Sequence, residues 1–156
     1  LRFFVNIQPF KPSNLKPIQP LNHLSRYRDL GVLILRLAFG FQLVKVSWQN
    51  AIFPLQNLPE FERYLISLGF PLPHIGVWVA SYTEFLGGIL LILGLFTRWV
   101  NVFLIINFTA ALVFAHLLIG DNYGNTMPSL NLVAVNWFLL FNGPGKFSLD
   151  ARRGRA

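Results

Sequence analysis

IGVWVASYTEFLGGILLILGLFT, residues 75–97, runs for twenty-three positions with one carboxylate, Glu84, and no other charged side chain. A helix needs about 20 apolar residues to cross the hydrocarbon of a bilayer, so this stretch predicts a membrane span with Glu84 near its midplane. An acidic or basic group at that depth costs roughly 2.5 to 3.5 kcal/mol on insertion scales, and such groups face protein or water. Three further apolar runs have comparable length: Leu30 to Trp48, Trp99 to Ile119, and Pro128 to Asn142. Together they predict an all-α integral membrane four-helix bundle over residues 30–142.

The bulk composition agrees with that class. Of 156 residues, 54% are hydrophobic and only 12% charged, outside the balance of a soluble globular domain. The net charge of +7 is gathered at the two ends of the chain and is not interleaved with aromatic residues on one polar segment, so nucleic acid is not the expected partner. Anionic lipid is. Absence of cysteine removes disulfides, thiolate ligands and thiol exchange. Residues 1–29, with Pro9, Pro12, Pro17 and Pro20 among Arg2, Lys11, Lys16, Arg26 and Arg28, are expected to form a basic cytoplasmic arm without a cleavable leader. Residues 143–156 form a basic cytoplasmic tail in which Gly143, Pro144 and Gly145 end the fourth span and Lys146, Arg152, Arg153 and Arg155 follow.

Charge predicts the orientation. With both termini and the tight Thr97-Arg98-Trp99 turn on the cytoplasmic side of a plasma (inner) membrane, that side carries ten Lys and Arg residues and the opposite side only Arg63. In the long loop between the first two spans, Phe61, Leu65 and Leu68 recur at helical spacing, and a short interfacial helix is expected from Pro59 to Gly69. Trp48, Trp78 and Trp99 fall at interface depth as anchors.

Four side chains are candidates for chemistry. Glu84 borders a stripe of small residues, Ala80, Gly87 and Gly94, that lets a neighbouring helix come close, and it is either a proton carrier or interhelical glue. Arg36 and Lys45 lie nine residues apart, on opposite faces of the first span, so only one is expected to pair with Glu84. At about 1.5 Å per residue, Arg36 stands roughly 10 Å, Lys45 roughly 24 Å and Glu84 roughly 20 Å from the inner boundary, which favours Lys45. Each base could also snorkel toward the nearer interface. His116, about 25 Å up the third span, shares the outer half and is the residue type suited to giving or taking a proton there. Asn107 and Asn136 are interhelical hydrogen-bonding candidates. No metal site is expected, because His23 and His74 fall on opposite sides of the membrane and His116 stands alone. No phosphate loop, nucleophile elbow or dinucleotide fingerprint occurs.

An arginine followed by Gly40 in the first span, GFPLP before the second, TEFLGGILLILGLFTR, a histidine late in the third span and the closing GPGKFSLD together resemble the DoxX family, from about Leu30 to Asp150. The resemblance implies a four-helix inner-membrane protein related to a small subunit of quinone-linked oxidoreductases. Where family members carry a Gly and then a Lys late in the first span, this chain has Ser47 and Asn50, and its lysine comes earlier, at Lys45. Two functions follow as expectations. One is a subunit that binds quinone or relays a proton within a redox complex, with electrons supplied by a partner protein because the chain has no redox-ligand set. The other is a non-catalytic structural or assembly subunit of a larger membrane complex, with the sixteen phenylalanines and the basic arm as contacts.

Overall fold

A computed structural model describes residues 22–154, so most of the basic arm, with Arg2, Lys11 and Lys16, lies outside the described residues, as does Arg155. A 3₁₀ turn at Asn22–Tyr27 leads into α1 (Arg28–Ile52). Then follow α2 (Pro54–Ser67), α3 (Pro73–Leu93), α4 (Thr97–Ala111), a π-helical turn (Leu112–Leu117), α5 (Tyr123–Asn142) and the short α6 (Leu149–Arg152). No strand occurs among the described residues. By length and composition α1, α3, and α4 continued by its π turn are each able to cross a membrane. The 20 residues of α5 complete the bundle.

Each long helix packs on its neighbour in the chain, and α1 touches α5 to close the ring. Val32, Leu43, Leu91, Val100, Leu104, Phe108, Leu132 and Leu139 form the continuous core. Lipid tails are as apolar as these side chains, so close fit rather than removal from water holds the helices together. The tightest point is the crossing of α1 and α3. A Cβ added at Gly88 would stand 2.7 Å from the Gly40 carbonyl oxygen, and one at Gly40 would stand 2.8 Å from the Gly88 oxygen. The small-residue stripe therefore serves two neighbours: Gly87 receives Leu104 of α4, while α1 uses Gly88, one residue away. Gly94 ends α3 in the left-handed region at φ +64.

The interfacial helix α2 begins at Pro54, not at Pro59, and Pro59 sits inside it. Its predicted apolar stripe faces inward: Leu58 and Leu65 are buried against Val77 of α3, with Phe61 and Leu68 beside them. Gly69, at φ +67, lets the chain turn, and the Phe70 amide closes the end on the Leu65 carbonyl at 3.0 Å. The fourth long helix also starts earlier than its proline suggests. Asn122 caps it by accepting from the Asn125 amide at 3.1 Å, and Pro128 lies within the helix.

Candidate functional site

Glu84 leaves α3 on the side that faces α4. Its Oε1 accepts a hydrogen bond from Asn107 Nδ2 at 3.0 Å. Both side chains border a partly open cavity of about 410 Å³ lined by α2, α3, α4 and the π turn, a volume within the usual range for small-molecule sites. Thr83, Tyr64 and His116 add polar groups to its wall, and Phe61, Phe70, Phe103 and Phe114 supply most of the aromatic surface. Phe70 and Phe114 meet edge to face with centroids 4.9 Å apart, which ties the α2–α3 connection to the π turn.

The π turn decides where His116 points. Wider i to i+5 bonds, Leu118 N to Val113 O at 2.9 Å and Asp121 N to His116 O at 2.9 Å, replace the α pattern at the end of this span. His116 thereby reaches the cavity wall while its ring is held from behind. Nδ1 lies 2.9 Å from Asp121 Oδ2, and Nε2 lies 3.3 Å from Ser129 Oγ of α5. In the neutral ring Nδ1 donates to the carboxylate and Nε2 accepts the serine hydroxyl. Asp121, in the connection between the last two long helices, is held below the ordinary carboxylate range, chiefly by the bond from His116 and next by that from Asn125.

Thus the structure brings Glu84 and His116 to one cavity and leaves the two bases of α1 outside it. Lys45, expected from depth to be the nearer partner, is on the outward face, because α1 buries Gly40, Leu43 and Ser47 against α3 and a residue two positions from Leu43 is turned about 200° away. Depth gave the level of each side chain but not its azimuth. Arg36 is buried at 1% exposure, at the opposite end of the bundle from His116.

The arginine has an extensive set of partners of its own. Its Nε donates to Leu91 O at 2.9 Å and Nη2 to Ile92 O at 3.0 Å, both at the end of α3. Its Nη1 donates to Pro144 O at 2.7 Å and Phe147 O at 3.0 Å in the closing segment. That segment is also fixed by Asp150, whose carboxylate accepts the amides of Phe96 and Thr97 at 2.9 and 2.8 Å and so caps α4. The Asp150 amide in turn donates to Gly94 O at 3.0 Å. A side chain at Gly94 would run into the Arg36 guanidinium. The residues of GPGKFSLD are therefore one half of a clasp whose other half is Arg36 and the α3–α4 turn.

The arginine, the LGG-containing span and the cavity histidine all fall within residues 31–117, which match the DoxX family model over more than half of the chain. The chain belongs to the DoxX family. It is 29% identical over 141 residues to inner membrane protein YphA of Escherichia coli (strain K12), covering 81% of this chain and 97% of that protein. No solved structure matches. As a DoxX-family chain it uses Asn107 as the interhelical hydrogen bonder expected from its residue type, together with three parts, Asp121, Ser129 and Asp150, that residue types alone did not disclose. Asn107 is the hydrogen-bond donor to Glu84, Asp121 and Ser129 hold the histidine, and Asp150 anchors the clasp. Asn136, by contrast, bonds Leu132 O of its own helix at 2.7 Å and does not line the Glu84 cavity.

Proposed function

We propose that this DoxX-family protein is an inner-membrane subunit, with both termini cytoplasmic, that binds a quinone head in the cavity of Glu84 and handles a proton there. The observation that carries this is the placement of a carboxyl, a carboxamide and an imidazole on one aromatic-walled cavity of about 410 Å³ within the span region. Such walls suit a planar ring, and the second N–H of Asn107 Nδ2, the first being given to Glu84, suits a carbonyl oxygen. A quinone when bound supplies two-electron chemistry coupled to protons; the electrons come from a partner protein. In this chain Asn107 orients Glu84, the apolar wall limits access of water, and Glu84 takes up and releases a proton at its free oxygen.

The orientation is supported by charge. Arg26, Arg28, Arg98, Lys146, Arg152 and Arg153 gather at the end of the bundle that holds the clasp, while Arg63 lies at the other beside Glu60, Glu62 and Asp121. A structural subunit is the second reading, favoured by the Asn107–Glu84 bond itself, which joins α3 to α4. Purification in mild detergent followed by extraction and chromatographic measurement of bound quinone separates the two. The quinone reading expects a stoichiometric quinone, and Glu84→Gln that preserves abundance but lowers quinone-dependent turnover of the intact complex. A quinone-free chain with turnover unchanged by Glu84→Gln rejects it, and loss of abundance in that variant supports the structural reading.

A further inference from the structure

The outer half of α1 presents Gln42, Lys45 and Gln49 on its exposed side, at spacings of three and four that place them on one face within about 60° of arc. Nearer the clasp the exposed side of the same helix is apolar: Ile34 is 57% and Phe41 66% exposed, as suits hydrocarbon. The polarity therefore begins part-way along the span. Among the described residues none of the three side chains has a hydrogen bond or ion pair. Lysine alone could snorkel toward the outer interface, but a glutamine has no charge to drive it there and no long stem to hide the amide. Gln42 lies ten residues, about 15 Å, before the end of α1. Amide and ammonium groups in a spanning helix are placed against protein or a water-filled cavity, and the described residues offer neither on that face.

We propose that this face of α1 is an intramembrane docking surface for a helix of a different protein, one that carries a carboxylate level with Lys45 and hydrogen-bonding side chains level with Gln42 and Gln49. Charge complementarity selects the occupant. A second copy related by an axis along the membrane normal would set Lys45 against Lys45, a repulsive pairing. Nor does a second copy supply an acid at that level. The chain has six acidic residues, of which Asp29 pairs with Lys146, Glu62 with His74 and Asp121 with His116. Asp150 caps α4, Glu84 is turned inward to Asn107, and Glu60 lies on α2 beyond the end of α1. Lys45 thus needs an acid from outside the family of identical chains. This surface is on α1, away from the cavity, and stands whether or not the cavity takes a quinone.

The test is photo-crosslinking in native membranes from the source cells, with a benzophenone amino acid placed at Gln42, at Gln49 and, as a control, at Ile34. The expected result is an adduct from positions 42 and 49, absent from 34, with a membrane protein whose crosslinked span holds an Asp or Glu. Lys45→Glu should lower its yield by about tenfold or more, and the reciprocal acid-to-lysine change in the partner should restore it. Because Lys45 is exposed, Lys45→Leu should leave abundance unchanged, so loss of the adduct in either variant reports docking and not folding. Adducts with a second copy of this chain, adducts with lipid alone, or adducts indifferent to Lys45→Glu each overturn the proposal.

Discussion

Replacing Arg36 by Met should release the closing segment while leaving the four helices in place. The guanidinium donates four hydrogen bonds to main-chain carbonyls, two of them in residues 144–147, and its charge interacts favourably with that of the buried Asp150. Hydrogen bonds from a charged donor contribute roughly 1.5 to 3 kcal/mol each, but they share one side chain and do not add. Removing one member of a buried charged network costs about 3 to 5 kcal/mol. At 1.4 kcal/mol per decade the opened fraction of the segment then rises by between about a hundredfold and a few thousandfold. Lys146 has its side chain 85% exposed, so trypsin reports opening at that bond in mild detergent. Arg36→Lys keeps the charge but loses the planar fork, and should fall between the two because an ammonium cannot serve both α3 and the closing segment. A cleavage rate in Arg36→Met within about threefold of the unmodified protein would refute the clasp as an energetic unit.

Gly88→Ala should lower the melting temperature in detergent. Its new Cβ meets the Gly40 carbonyl at 2.7 Å and Leu43 Cβ at 2.9 Å, a backbone clash that side-chain rotation cannot relieve, worth about 1 to 3 kcal/mol. Gly31→Ala, with nothing within 4 Å, should be neutral or slightly stabilising in the same melt. Asn107→Leu removes the donor to Glu84 and should reduce quinone retained on purification while Asn136→Leu, away from the cavity, should not; equal retention in both would count against the cavity. Because the folded Asp121 titrates below its ordinary range, the loop stabilisation it supplies is present above that range and is lost as pH falls through the lowered value. Carboxylate carbon shifts measured by NMR should therefore show Asp121 still ionised within the range where a free aspartate protonates, and His116→Leu, which removes its principal hydrogen bond, should move its midpoint back up toward that range.

The spans were readable because membrane insertion imposes a length and a composition that a single chain displays openly. Their starts were less so. Pro54 and Pro128 look alike in sequence, yet the first opens α2 and the second lies inside α5, where Asn122 has already capped the helix. Glu84 announced itself as the lone acid of an apolar run, but which of the two candidate asparagines would be its donor did not. Pairing Asn107 with Glu84 needs the rotation of α4 against α3, which is set by Leu104 filling the space at Gly87. Lys45 failed as its partner for the same reason, since depth along a helix is linear in residue number while direction turns by 100° at each step. The acceptors around Arg36 are carbonyl oxygens, present at every position and therefore without a signature in residue types.

The clasp also orders events during synthesis. Arg36 enters the membrane with the first span, but its acceptors at Pro144 and Phe147 lie 108 and 111 residues further on. At about 5 to 20 residues per second the ribosome needs on the order of ten seconds to deliver them. Through the first half of that interval none of its four acceptors exists, since Leu91 and Ile92 lie 55 and 56 residues on, and through the second half two are still missing, so the nascent first helix depends on the insertion machinery or on the lipid surface to shelter its permanent cation. A ribosome that stalls after Asn142 leaves the shelter unrelieved, which gives membrane quality control a chemical mark by which to tell a truncated chain from a finished one.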